Sequence, residues 1–326
     1  MKAAARNLLG TLATGYILFF GSERLFWSAW RSSDSLPDQL ITWLAYSALA
    51  YLFLATLSVM RVGSFWPLFL AGAIYGWLTE GGLASTLYGT EASAPFPFSI
   101  AITALSWHAL LSVAVVWFAT GRALTAARPK PLLLLVTGLG IYWGVWSTFL
   151  WRESPPIVPS ALAFLGHASV ASLLLAGAWW LSFRTEAHRL RPGWLGTSLS
   201  VCLVGAFYVQ HVLRLGMIAM ILLPVLLAVT FAALGRHRAA TTNRETALFS
   251  RCPKTSRFAL LLLLPLVATA TYGVAGWLHL ERVQVAAIVY FGVTGPLGAL
   301  LFLTAFLRCL RPLRGPDHPP QPNAAD

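Results

Sequence analysis

Four ionisable side chains fall inside long apolar stretches of this chain: Glu80, His108, His167 and His211. An ionisable group inside a bilayer is costly and persists only with a partner or a water-filled cavity. Imidazole exchanges protons near neutral pH, and a nearby carboxylate favours its charged form. As a set, the four are candidate ligands for a proton, a cation or a small polar solute. Taken one at a time, each histidine needs only a hydrogen bond to a neighbouring carbonyl or hydroxyl, and Glu80 could snorkel to the surface. Trp107, beside His108, offers a ring that could stack on a ligand. Glu23 and Arg24 close the first apolar stretch, as an interfacial pair or as a gate. Pro296, set among Gly292, Gly295 and Gly298, is a candidate hinge, since proline frees a backbone carbonyl inside a helix.

More specific chemistries make sharper demands. A zinc site needs three ligands and an open position, which Glu80, His108 and His167 could supply, with His211 as a fourth. No His-Glu-x-x-His or His-x3-His run is present, so the sequence specifies no metal and no cofactor. Bis-histidine haem ligation by His108 and His167 is conceivable. A retinal Schiff base is excluded, because no lysine lies in an apolar stretch.

The elements that position these residues follow from composition. Of 326 residues, 57% are hydrophobic and 10% charged, and mean hydropathy is +0.70. A soluble domain is about a quarter charged, so the chain reads as an all-α polytopic membrane protein whose main partner is the lipid bilayer. Stretches of about 20 apolar residues give about ten spans: roughly 7–22, 40–60, 63–84, 97–120, 131–151, 160–183, 194–214, 216–235, 258–278 and 284–307. Arg214-Leu215-Gly216 marks the turn between the seventh and eighth.

Charge placement tests that count. One set of connections carries 18 of the 23 basic residues, from Lys2 and Arg6 through Arg244 and Arg251 to Arg314, and the alternate set carries Arg24, Arg31, Arg152, Arg214 and Arg282. This bias predicts both termini in the cytoplasm of a bacterial-type plasma membrane. Basic residues spread between apolar stretches form a rim, so the net charge of +12 does not point to nucleic acid. The acids Glu23, Asp34, Asp38, Glu80, Glu91, Glu153 and Glu281 fall on the outer side, with Trp27, Trp30, Trp77, Trp151 and Trp277 as an interfacial belt. Residues 1–311 form the bundle, and 312–326, rich in proline, read as a disordered cytoplasmic tail. Cys252 and Cys309 are placed in basic cytosolic loops, and oligomeric state is not specified.

Two periodicities suggest tandem two-helix repeats. Tyr16, Tyr75, Tyr142, Tyr208 and Tyr272 recur at spacings of 59, 67, 66 and 64 residues. Thr42-Tyr46-Ala50, Ala104-His108-Ser112, Ala163-His167-Ala171 and Ala286-Tyr290-Thr294 each place a polar ring between residues one turn away, most of them small. Small residues at that spacing let a second helix approach, so His108 and His167 should face the bundle interior. Their counted depths are similar, which predicts that they could be neighbours. Gly81-Gly82 weakens the end of the third span and lets its backbone bend.

The run from Pro159 through His167-Ala168 to Ala171 resembles the final histidine motif of the CAAX-protease-like membrane family. That family's paired glutamates followed by arginine are missing, since Glu80 is followed by Gly81-Gly82, and Ala171 replaces its asparagine. The reading that follows is transporter-like, with a cavity open to the extracytoplasmic side. Its alternatives are a membrane-embedded metal-dependent hydrolase or transferase acting on a lipid-linked substrate, and a non-catalytic subunit of a membrane complex.

Overall fold

The structure is a computed structural model that describes residues 3–29, 35–91, 94–240, 248–249 and 252–311. Lys2, Trp30, Arg31, Asp34, Arg244, Arg251, Arg314 and the tail 312–326 lie outside the described residues, as do the side chains of Glu281 and Arg282.

Ten helices follow one another among the described residues. They are α1 (Ala3–Ser22), α2 (Leu36–Val59), α3 (Phe65–Trp77), α4 (Ile100–Thr125), α5 (Lys130–Arg152), α6 (Ala161–Arg184), α7 (Trp194–Leu215), α8 (Met217–Ala240), α9 (Thr255–Trp277) and α10 (Val285–Leu310). Eight of them are long and apolar enough to cross a membrane. The other two are α1, diluted by glycine, threonine and serine, and α3, which is only 13 residues long before its winding changes. Both sit deep in the bundle, and from Pro67 to Trp77 every residue of α3 is buried. A helix that meets other helices rather than lipid needs less hydrophobicity, and it gains from small residues.

Local signals set the ends. Ser35 and Asp38 form a capping box, each side chain accepting from the other's backbone N–H at 3.2 Å. That box starts α2 at Leu36, four residues before the apolar run begins. Ser160 accepts from the Ala163 N–H at 3.2 Å and opens α6. Gly216 adopts φ +68° between α7 and α8, a conformation that favours glycine. Cys309, expected in a loop, lies buried on the last turn of α10.

Packing order matters for the site. α1 lies against α2, α4 and α6, α3 packs on α4, and α5 pairs most closely with α9. α1 therefore stands between α4 and α6. Consecutive helices pair at α1–α2, α3–α4 and α7–α8, whereas α5 takes a distant partner. Trp77 departs from the expected interfacial belt: it is fully buried, its ring 5.2 Å from Phe302, while Trp277 is 79% exposed.

Two of the prolines within the last three helices coincide with changes of winding. A 3-10 turn at Leu260–Leu262 precedes Pro265, and π-wound backbone at Ile288–Thr294 gives way to α-helix at Gly295-Pro296. Pro224 sits inside α8 without such a break.

Candidate functional site

The backbone around Glu80 and His108 is wound more loosely than an α-helix. Beyond α3, Leu78–Leu83 forms a π turn that contains Gly81-Gly82 and presents Glu80. Its last bond, Ala84 N–H to Thr79 O at 2.8 Å, spans five residues. α4 is π-wound from Ile100 to Ala119, and the Ser112 hydroxyl donates to Trp107 O, also five residues back, at 3.0 Å. Widened turns of this kind are concentrated at functional sites.

Close helix contact brings the two segments together. A Cβ on Gly76 would lie 2.4 Å from the Ala104 carbonyl oxygen, and one on Gly21 would lie 2.9 Å from the Ser112 Cα. The small residues flanking His108 thus admit α3 on one side and α1 on the other, as their spacing suggests.

The result is a continuous polar network among apolar helices. His108, 1% exposed, bonds through Nε2 to Glu80 Oε1. Thr86 donates to the other Glu80 oxygen. On its far side, His108 Nδ1 lies 3.0 Å from Ser22 Oγ, which is also 2.9 Å from Ser112 Oγ and 3.2 Å from the Tyr75 hydroxyl. Tyr46 donates to Glu23 Oε1 at 2.7 Å, and Glu23 stands within electrostatic reach of His108, Glu80 and Arg24. An ionised Glu80 can only accept, so Nε2 carries a proton toward it, and in the neutral ring Nδ1 then accepts from Ser22. The Glu80 side chain keeps 14% of its surface exposed, against 2% for that of His108.

The four groups singled out in the sequence do not meet at one point. His211 Nε2 lies 3.2 Å from the Leu83 carbonyl, beside the Tyr88 ring, and is held there alone. His167 is buried against Trp143, at a ring separation of 6.5 Å, with neither nitrogen hydrogen-bonded among the described residues. α1 stands between α4 and α6 and keeps His167 away from His108. Among the described residues no three His, Cys, Asp or Glu side chains gather as a metal set. The expected four-residue zinc grouping and bis-histidine pair are therefore not assembled.

The remaining candidates take other places. Trp107 donates to Ser22 O at 2.7 Å and packs its ring on Phe26, Trp146 and Tyr290, inside an aromatic cluster. Arg24 is buried, donates to Gln39 and lies over the Phe19 ring at 5.0 Å. Near Pro296, α10 is held to α4 by Ser106 donating to Thr294 at 2.9 Å. The two best-formed recesses lie elsewhere: about 40 Å³ lined by Tyr16, Arg24 and His167, and about 160 Å³ lined by Phe149, Arg152 and Gln284.

Sequence reasoning missed Ser22 and Thr86, and it counted Tyr46, Tyr75 and Ser112 only as parts of a repeat. One signal was available: Ser22-Glu23-Arg24 is a polar run at the end of an otherwise apolar stretch, where a buried hydroxyl can reach across to a facing helix. No protein-family model matches this chain, and neither the curated proteins nor the solved structures offer a match. The reading of the site therefore rests on its own chemistry.

Proposed function

We propose that this polytopic membrane protein is a transporter-like protein that binds a proton, and with it a cation or small polar solute, from the extracytoplasmic side. One observation carries the reading: the Glu80–His108 pair, enclosed by helices, with the imidazole buried and 14% of the glutamate side chain still accessible. A carboxylate bonded to imidazole accepts a proton at either group. On the far side of the ring, Ser22, itself within reach of Tyr75 and Ser112, fixes the imidazole through Nδ1. Beyond these hydroxyls the neighbours are Phe53 and Trp117, so the proton stays on the Glu80–His108 pair and is not conducted through the bundle in this conformation. Pro296, at the change from π to α winding beside α4, is the proposed hinge, and the Glu23–Arg24 pair the proposed gate. His211 and Trp107 are assigned supporting contacts with solute rather than proton exchange.

The topology that goes with this function has ten spans, α1 and α3 included, in a bacterial-type plasma membrane. Both termini and the tail lie in the cytoplasm, which agrees with the basic residues of alternate connections.

The order Ser22–His108–Glu80 also resembles the nucleophile, base and carboxylate of an acyl-transfer site, and this favours the hydrolase alternative. The transport reading is preferred because Ser22 is 2% exposed and its hydroxyl is surrounded by three polar partners. No carbonyl substrate reaches it without opening the bundle.

The experiment is a proton-flux assay in proteoliposomes that contain a pH-sensitive dye, challenged with sodium or potassium pulses at the outer face. The native chain should give a cation-dependent pH change. Glu80→Gln and His108→Ala should abolish it while still inserting normally. Equal responses from all three proteins would rule out the pair as the proton site.

A further inference from the structure

We propose that the groove between α1 and α6 is a second binding site, separate from the Glu80–His108 pair, for a phosphoryl monoanion, supplied by the headgroup of an anionic membrane lipid. The groove is lined by Tyr16, Arg24, His167, Val170, Ala171 and Leu174. His167 is only 9% exposed, and neither ring nitrogen has a hydrogen-bond partner among the described residues. A buried polar group left unpaired costs about 1–3 kcal/mol, so such a ring calls for a ligand that can occupy it. The space beside it, about 40 Å³, is enough for a compact polar group the size of one or two water molecules.

Charge selects the kind of group. Arg24, 7% exposed, brings a guanidinium to the same groove, and guanidinium with an imidazole N–H is a donor pair suited to phosphoryl oxygens. The acceptor that could repel an anion is already occupied, because the Ala171 carbonyl accepts from Tyr16 at 3.1 Å. The mouth of the groove decides the source. Val170 and Leu174 are 54% and 53% exposed on the outward face of α6, an apolar rim that suits acyl chains better than water. A headgroup entering laterally would seat one phosphoryl oxygen between Arg24 and His167 once the ring turns a nitrogen, now covered, toward the groove, and would leave its chains along α6.

The test uses the full chain purified in detergent and examined by native mass spectrometry with phosphatidylglycerol, with phosphatidylcholine and with inorganic phosphate. Phosphatidylglycerol should be retained in preference to phosphatidylcholine, and His167→Phe should weaken that retention about tenfold, the loss of one charge-assisted hydrogen bond. Arg24→Gln should weaken it further. If that variant does not fold, nitrogen-15 imidazole spectra of the native chain in nanodiscs decide instead, with a His167 resonance that shifts between the two lipids. Binding of inorganic phosphate that competes with the lipid would support the same site and admit a free anion as a second source. Undiminished phosphatidylglycerol retention in His167→Phe, with a His167 resonance indifferent to lipid, would overturn the proposal and leave water as the occupant.

Discussion

His108 and His167 share one pattern of flanking small residues and are opposite in structure. Each is followed by alanine, preceded four residues earlier by alanine and followed four residues later by a small residue. Both are buried, at 1% and 9% exposure. Yet His108 has a partner on each nitrogen, and His167 has none. The difference lies in the facing helices. At His108, α1 presents Ser22 and the π turn after α3 presents Glu80. At His167, α1 presents Tyr16, whose hydroxyl already donates to a carbonyl, and α5 presents the face of Trp143. A helical motif thus decides which way a ring points. What the ring can do depends on residues far away in sequence.

The largest expected effect comes from breaking the satisfied side of this pair. His108→Ala removes bonds to Ser22 and Glu80 and leaves the carboxylate enclosed without its imidazole. We expect a loss of about 3 kcal/mol, read as a lower midpoint of denaturation in mixed micelles. A variant as stable as the native chain would show that the network contributes nothing to the fold.

His188 sharpens the comparison from the other end of the bundle, as a half-buried imidazole outside the membrane-spanning helices. It sits in the turn Ala187–Arg189, its ring 5.3 Å from Phe249 and its Nε2 without a hydrogen bond among the described residues. Burial, and then the neighbouring Arg189, push its pKa from 6.5 down to about 4. The folded state therefore holds the neutral ring. Stability should be full above about pH 6.5 and decline as pH falls toward 4, by roughly 2–3 kcal/mol in all. His188→Phe should flatten that slope; an unchanged acid profile would place the protonation elsewhere.

Gly76 tests the approach that brings Glu80 to His108. Its added Cβ would meet backbone, the Ala104 carbonyl at 2.4 Å, so Gly76→Ala must push α3 away from α4. A cost of about 2 kcal/mol is expected, together with weakened proton coupling. Retained stability with lost coupling would show that the site needs tighter spacing than the fold does.

The helices of the bundle were legible because hydropathy acts along the chain. Helix boundaries agree within a few residues, and Gly216 and the Gly81-Gly82 pair lie where the turn and the loosened winding occur. The site was legible only in part. Glu80 and His108 stood out as ionisable groups in apolar sequence, and small neighbours pointed His108 inward. Ser22 did not stand out, because a serine near a helix end is ordinary until a facing histidine makes it a partner. The convergence expected of four groups depended on helix order, and apolar helices of similar composition carry little record of which neighbour they touch. The same ambiguity hid the burial of Trp77, which composition alone sends to the interface.

The smallest expected effect, and the most discriminating, is that of His167→Phe on stability. The substitution removes no hydrogen bond among the described residues, fills a similar volume beside Trp143 and spares two nitrogens their unpaired burial. In detergent without anionic lipid, its stability should exceed that of the native chain by about 1 kcal/mol, the low end of the cost of unpaired burial. With phosphatidylglycerol present the order should reverse, because the native chain alone gains from a ligand that binds its folded state. A loss above about 2 kcal/mol in the lipid-free sample would mean that His167 has a partner of its own, and the contrast with His108 would fail. Equal behaviour with and without lipid would leave the contrast standing and remove the ligand.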